Sequence, residues 1–250
     1  MYGKQIRLRR LFPSATRKLF SVPLDHSVSM GPIDGLERLA PVATELQEAG
    51  ADLLIVSKGS VRELAPVLSP GVLLGVHVSA STSLGTTANR KVVVGGATEA
   101  LALGADLLSV QVNFGVPEEP EMLQNLGEAA DACRTLGLPL LCMAYVKKPR
   151  GGTPDELRHA ARAAADTGAD IVKTAYPGSA PEFERLCFTT PVPVLIGGGE
   201  RMDDEAAFFE IVRASIRVGG AGICVGRNLF QRKPLLPFAR RIGLLLHGTS

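Results

Sequence analysis

Gly168-Ala169-Asp170-Ile171-Val172-Lys173-Thr174 joins the end of one helical pattern to the start of one strand. Glycine supplies the left-handed cap on which helices end, and the short apolar run after it has the length of a buried strand. The phrase recurs along the chain. Gly50-Ala51-Asp52 precedes Leu-Leu-Ile-Val, Gly104-Ala105-Asp106 precedes Leu-Leu-Ser-Val, and Gly220-Ala221-Gly222 precedes Ile-Cys-Val. Four more apolar runs, at 19–26, 72–79, 139–146 and 192–197, fall between these units. Strands are therefore predicted to start at Leu19, Asp52, Val72, Asp106, Pro139, Asp170, Val192 and Gly222. Amphipathic helical patterns fill most gaps, most clearly at 35–49, 121–136, 154–167, 203–218 and 235–246.

Apolar strands alternating with helices imply a parallel sheet with its outer face covered. Eight such units in 250 residues match a (β/α)8 TIM barrel in count and length, with a doubly wound open sheet as the alternative. No linker or low-complexity segment divides the chain, so residues 1–250 are expected to form one α/β domain. A net charge of +2 gives no basis for a nucleic-acid or membrane partner. The basic N-terminal stretch of Arg7, Arg9, Arg10, Arg17 and Lys18 reads as a solvated surface. No apolar run has transmembrane length, and the N-terminus has no apolar signal core. Cys133, Cys142, Cys187 and Cys224 are widely spaced without a CxxC pair. They read as the reduced thiols of a cytoplasmic protein.

In a TIM barrel, chemistry gathers at the C-terminal ends of the strands. Here the strand bodies are apolar and the ends are polar and ionisable, a gradient that favours an enzyme over a structural barrel. Strand six ends in Lys173. Burial disfavours an ammonium, so its pKa is expected to fall, and a neutral amine can form a Schiff base with a carbonyl. The plainer reading is a strand-end lysine whose ammonium reaches solvent. By strand parity, Asp25 follows Pro23, Tyr145 follows Met143 and Lys173 follows Ile171 on alternate positions, so all three can face one cavity. A carboxylate and a phenol suit the proton transfers of a Schiff-base cycle. Gly197-Gly198-Gly199 after strand seven and Gly226-Arg227 after strand eight offer unobstructed backbone N–H groups and a guanidinium, as a phosphate site requires. The histidines show no HxH or HxxxH spacing. A zinc site would need His26, His77 and Cys142 to converge from separate strands, so no metal or cofactor is expected.

Taken in order, Val22-Pro23-Leu24-Asp25-His26, Ser79-Ala80-Ser81-Thr82-Ser83-Leu84, Gln111-Val112-Asn113, Pro139-Leu140-Leu141, Asp170-Ile171-Val172-Lys173-Thr174 and Gly226-Arg227-Asn228 span nearly the whole chain. This ordered set resembles the DeoC/FbaB group of class I aldolases, and within it the branch of 2-amino-3,7-dideoxy-D-threo-hept-6-ulosonate synthases and related aldolases that use aspartate semialdehyde. The resemblance implies a Schiff-base lysine at Lys173, a proton-transfer aspartate at Asp25 and an acid/base tyrosine at Tyr145. It implies phosphate contacts at Gly198, Gly199, Gly226 and Arg227, with His26 and Ser81 as further substrate contacts. The expected partners are a phosphorylated ketose-derived donor and an aldehyde acceptor, L-aspartate semialdehyde, in a cofactor-free homo-oligomer. Alternative expectations are a fructose-bisphosphate aldolase, a thiolase acting on a phosphorylated autoinducer product, and a non-catalytic sugar-phosphate-binding barrel. The chain departs from the group after strand five, where Tyr145-Val-Lys-Lys-Pro149-Arg150-Gly151 replaces Tyr-Pro-Arg-Gly, and the role of Arg150 stays open.

Overall fold

The computed structural model describes residues 2–12 and 16–248, apart from the side chain of Arg150. Eight parallel strands close into a barrel: β1 (Leu19–Pro23), β2 (Leu53–Ser57), β3 (Leu73–His77), β4 (Leu107–Phe114), β5 (Leu140–Val146), β6 (Ile171–Ala175), β7 (Val194–Gly197) and β8 (Gly222–Cys224). They pair in sequence order, and β1 closes the ring against β8. The observed strands start within two residues of the expected positions. A short antiparallel ladder, Ser79–Ala80 with Val92–Val93, is added above β3.

The repeated Gly-Ala-Asp phrase has a structural cause. Gly50, Gly104 and Gly168 have φ of +88°, +87° and +116°, which L side chains rarely adopt. The aspartate that follows then ties down the strand next to its own. Asp52 accepts a hydrogen bond from the Phe20 N–H (2.7 Å), Asp106 from Leu74 N–H (3.1 Å) and Asp170 from Leu140 N–H (2.9 Å). Each carboxylate satisfies a backbone donor at the start of the preceding strand. In the fourth phrase glycine replaces aspartate. Gly222 sits at φ +135° against β1, and a Cβ there would meet the Leu19 carbonyl oxygen at 2.2 Å.

The helices α1 (Tyr2–Leu11), α2 (Leu39–Glu48), α3 (Ala97–Ala102), α4 (Glu119–Leu136), α5 (Pro154–Asp166), α6 (Ala180–Thr189), α7 (Glu205–Arg217) and α8 (Leu235–His247) are joined by several single-turn segments. Thr153 opens α5 with a capping box: its hydroxyl accepts from Glu156 N–H, and the Glu156 carboxylate accepts from Thr153 N–H. Two apolar layers result. One lies between the barrel and the helices; the other fills the barrel interior with Leu19, Leu53, Leu107, Leu141, Ile171 and Leu195.

The basic N-terminal stretch is not simply a solvated surface. Helix α1 turns Leu11 fully into the interior cluster, with Leu8 and Phe12 packed against it. Arg7 donates to the Gly137 carbonyl (2.9 Å) and Lys4 pairs with Asp170 (2.8 Å), while Arg9, Arg10 and Arg17 are exposed. The apolar face of α1 closes the N-terminal end of the barrel, which leaves the other end for a cavity. Among the described residues, no helix is long and apolar enough to cross a membrane.

Candidate active site

A cavity of about 860 Å³ opens at the C-terminal ends of the strands. Of the residues singled out in the sequence, Lys173, Tyr145, Asp25, His26, Gly198, Gly199, Gly226 and Arg227 line it. The alternation of β5 and β6 is the reason. Met143 pairs with Lys173 across the ladder, Leu141 and Ile171 lie one layer below, and all point inward.

Lys173 is 5% exposed. Its Nζ lies 3.9 Å from Met143 Sδ and 5.7 Å from the centre of the Tyr145 ring. The expectation of a depressed amine is corrected here. Burial does oppose the ammonium, but Cys224 and Tyr145, where they ionise at high pH, and the Asp25 carboxylate at all pH values above its own range oppose burial, and the net direction is upward. Burial also pushes the Cys224 thiol and the Tyr145 phenol upward, so both are protonated at neutral pH. The Asp25 carboxylate is then the formal anion of the group. Burial pushes it up, but His77, His26 and Lys173 together hold it below the usual range. At neutral pH Asp25 is the one charged group among these that favours an ammonium at Lys173.

Two imidazoles flank Asp25, each at 3.6 Å: His26 through Nδ1 and His77 through Nε2. Burial lowers both, His26 to about 4, so they are neutral at physiological pH. His77 is oriented from behind by Ser109 Oγ, 3.0 Å from its Nδ1. His26 packs edge-on against Phe230 at 5.1 Å. Cys142, the third member of the zinc set weighed from the sequence, lies in the layer between barrel and helices, away from these imidazoles.

The loops after β7 and β8 form the adjoining wall. A Cβ at Gly198 would meet Val225 Cγ1 at 2.6 Å, and one at Gly226 would meet His26 Cε1 at 2.6 Å, so only glycine fits at either place. The fully buried Asn228 stitches the two loops together. Its amide donates to the carbonyls of Gly198 and Glu200 (2.8 Å each) and accepts from Met202 N–H (2.8 Å). Arg227 leans toward Glu200 at 3.9 Å and stays partly exposed at the cavity wall. Glycine backbone beside a guanidinium makes this wall fit to receive a phosphate.

Ser81 departs from expectation. It does not line the cavity; its hydroxyl donates to the Ala88 carbonyl (2.8 Å) and accepts from Lys91 Nζ (2.7 Å). The residue it holds, Lys91, does line the cavity, and so do Lys147 and Gln111. Sequence reasoning missed both lysines. The available signal was a lysine leading the apolar run Val92-Val93-Val94, and another next but one to Tyr145. Lys147 Nζ stands 5.6 Å over the Tyr145 ring. Tyr176 packs against Phe183 at 5.8 Å and takes no part in the cavity lining.

Comparison with known proteins agrees with the barrel fold. A family model described as DeoC/LacD family aldolase matches residues 19–232. The chain is 36% identical, over its full length and 92% of the relative, to 2-amino-4,5-dihydroxy-6-oxo-7-(phosphonooxy)heptanoate synthase of Streptomyces griseus. It is 35% identical, over its full length and 93% of the relative, to 2-amino-3,7-dideoxy-D-threo-hept-6-ulosonate synthase 1 of Archaeoglobus fulgidus. Among solved structures, an archaeal fructose 1,6-bisphosphate aldolase superposes with a TM-score of 0.87 at 26% identity, covering 98% of this chain and all of the other. A second structure of an archaeal fructose-1,6-bisphosphate aldolase, with the same TM-score and coverage, is described as having its catalytic Lys covalently bound to the carbinolamine intermediate. The chain belongs to the DeoC/LacD aldolase family and is a class I aldolase.

Proposed function

We propose that this member of the DeoC/LacD family joins a phosphorylated three-carbon donor unit to L-aspartate semialdehyde, giving a seven-carbon amino keto product. The donor is dihydroxyacetone phosphate or the corresponding fragment of a deoxyketohexose phosphate. The observation that carries the reading is Lys173, buried on β6 between Tyr145 and Asp25 and facing a glycine-and-arginine wall. Phosphate bound at Gly198, Gly199, Gly226 and Arg227 brings the donor ketone to Nζ. The ammonium passes its proton to the Asp25 carboxylate, and the free amine adds to the carbonyl carbon. Loss of water gives an iminium, whose positive nitrogen accepts the electron pair released when the adjacent carbon loses a proton or a C–C bond. The resulting enamine carbon attacks the aldehyde carbon of the acceptor. Tyr145 delivers a proton to the new alkoxide, and water then hydrolyses the iminium to free Lys173.

The carbon count supports this pairing. Three donor carbons and four acceptor carbons make the heptanoate named for the Streptomyces griseus relative, with its phosphate at the donor end and its amine at the acceptor end. A second reading, fructose-bisphosphate aldolase, is favoured by the archaeal structures that superpose with a TM-score of 0.87. The test is mass spectrometry of the products from dihydroxyacetone phosphate with L-aspartate semialdehyde, run beside cleavage of fructose 1,6-bisphosphate. Borohydride trapping of donor mass on Lys173, abolished in Lys173→Ala, is expected in both readings. A phosphorylated amino keto product supports the first. Fructose bisphosphate cleavage without that product overturns it in favour of the second.

A further inference from the structure

Lys91 is 7% exposed, lines the cavity, and among the described residues has no carboxylate as a direct partner. Its Nζ donates to two neutral hydroxyls, Ser29 Oγ (2.8 Å) and Ser81 Oγ (2.7 Å). An ammonium has three N–H donors, so one is left for a ligand. A buried cation without its own counter-ion is costly unless something else pairs with it. Burial accordingly depresses the Lys91 amine, with Lys147 adding to the effect and Asp25 opposing it.

Its place in the barrel gives this lysine a partner of a particular kind. Lys91 leads into the Val92–Val93 ladder over β3, and Gln111 on β4 lines the same cavity. In the closed strand order, β3 and β4 lie across the barrel from β7 and β8, which carry the glycine loops and Arg227. The cavity therefore has cationic groups on two opposite walls, with Lys173 between them.

Gln111 adds a directed acceptor. The Asn89 carbonyl can only accept, so the Asn113 amide must present its NH₂ there (2.6 Å). Asn113 Oδ1 then faces Gln111 and takes the hydrogen bond from Gln111 Nε2 (2.8 Å). This relay fixes the Gln111 amide and leaves its Oε1 as the acceptor free for a ligand.

We propose that Lys91 and Gln111 form the subsite for the α-amino carboxylate of the aldehyde acceptor, the lysine pairing with the carboxylate and the Gln111 Oε1 accepting from the ammonium. Ser29 and Ser81 position the lysine. The proposal rests on the acceptor assignment above and specifies which residues read it. It also gives the cavity a direction, with phosphate at the β7–β8 wall and amino acid at the β3–β4 wall.

The test uses L-homoserine, the alcohol analogue of L-aspartate semialdehyde, as a non-reacting probe of the intact protein. Its binding is measured by calorimetry on wild type, Lys91→Met and Gln111→Leu, beside the acceptor KM. A charge-assisted hydrogen bond lost at Lys91 is expected to weaken homoserine binding and raise the acceptor KM about 10- to 100-fold. Donor KM and borohydride trapping on Lys173 should stay unchanged and report that each variant is folded. Gln111→Leu should weaken L-aspartate semialdehyde but not succinate semialdehyde, which lacks the amine. Homoserine that binds neither wild type nor variant, or binds both equally, overturns the subsite. So does a Lys91→Met loss confined to a phosphorylated aldehyde such as glyceraldehyde 3-phosphate. Wild type that binds homoserine yet makes no product from L-aspartate semialdehyde refutes the proposed reaction while upholding the amino-acid subsite.

Discussion

Gly197 on β7 lies against the side chain of Lys173 on β6: a Cβ at position 197 would come within 3.3 Å of Lys173 Cε. The missing side chain is what gives the lysine stem its path toward the cavity. A glycine read from sequence as part of an anion loop thus also makes room for the neighbouring lysine.

Gly197→Ala tests this relationship. The lysine stem must shift by a few tenths of an ångström, so the amine leaves its attack position. Misplacement by about 1 Å costs on the order of 10²-fold in rate, so this smaller shift is expected to cost roughly 10-fold. The rate of borohydride-trappable adduct formation is the readout, with thermal stability as control. An unchanged rate would mean that the lysine has slack in this direction.

Tyr145→Phe separates proton transfer from nucleophilic attack. The ring that covers Lys173 is kept and only the hydroxyl is lost. Turnover is expected to fall by about 10²- to 10⁴-fold while Lys173 still forms the trapped adduct. Wild-type turnover, measured where chemistry limits the rate, would leave Tyr145 as a packing wall.

Arg227→Ala should raise the donor KM and leave kcat largely intact, because the guanidinium grips a group that does not react. Removing one charged hydrogen-bonding partner corresponds to roughly 10- to 100-fold in affinity. The dephosphorylated donor should bind wild type and variant equally weakly. A wild type that does not distinguish phosphorylated from dephosphorylated donor would remove this wall from the phosphate assignment.

The His26 imidazole makes stability depend on pH. Its folded pKa, lowered by burial to about 4, lies below the unfolded value near 6.5. The unfolded chain therefore takes up the proton first as pH falls. The His26 contribution is fully present above about pH 6.5, shrinks as pH drops, and levels off below about 4. The difference amounts to roughly 3 kcal/mol over that window. Urea unfolding of wild type and His26→Gln across it should show a flatter profile in the variant. His77, lowered by burial as well, supplies a residual slope of the same sign. Identical profiles would show that His26 does not carry this linkage.

Lys91 and Ser81 show where sequence reading stopped. The phrase around Ser81 pointed to the right part of the barrel, but Lys91 and not Ser81 lines the cavity. The ladder between Ser79–Ala80 and Val92–Val93 folds the loop back, so the serine holds the lysine and the lysine reaches the cavity. A contact between residues ten apart through a bent loop has no periodicity to reveal it. The charge state of Lys173 was misjudged for a related reason. Burial was legible from an apolar strand, whereas the opposing effects of Cys224 on β8, Tyr145 on β5 and Asp25 just after β1 were not.

The sequence by itself determined the order of the eight strands, the glycines that end helices, and the inward parity of Lys173, Tyr145 and Asp25. These depend on local dihedral preferences and on the two-residue period of a strand, which neighbouring residues already encode. Closure of the barrel decided the rest: the capping of its floor by α1, the stitching of the β7 and β8 loops by Asn228, the charges and burial that act on Lys173 and the entry of Lys91 into the cavity. Each is set by which distant side chains share a low-dielectric space, and such distances exist only once the ring has closed.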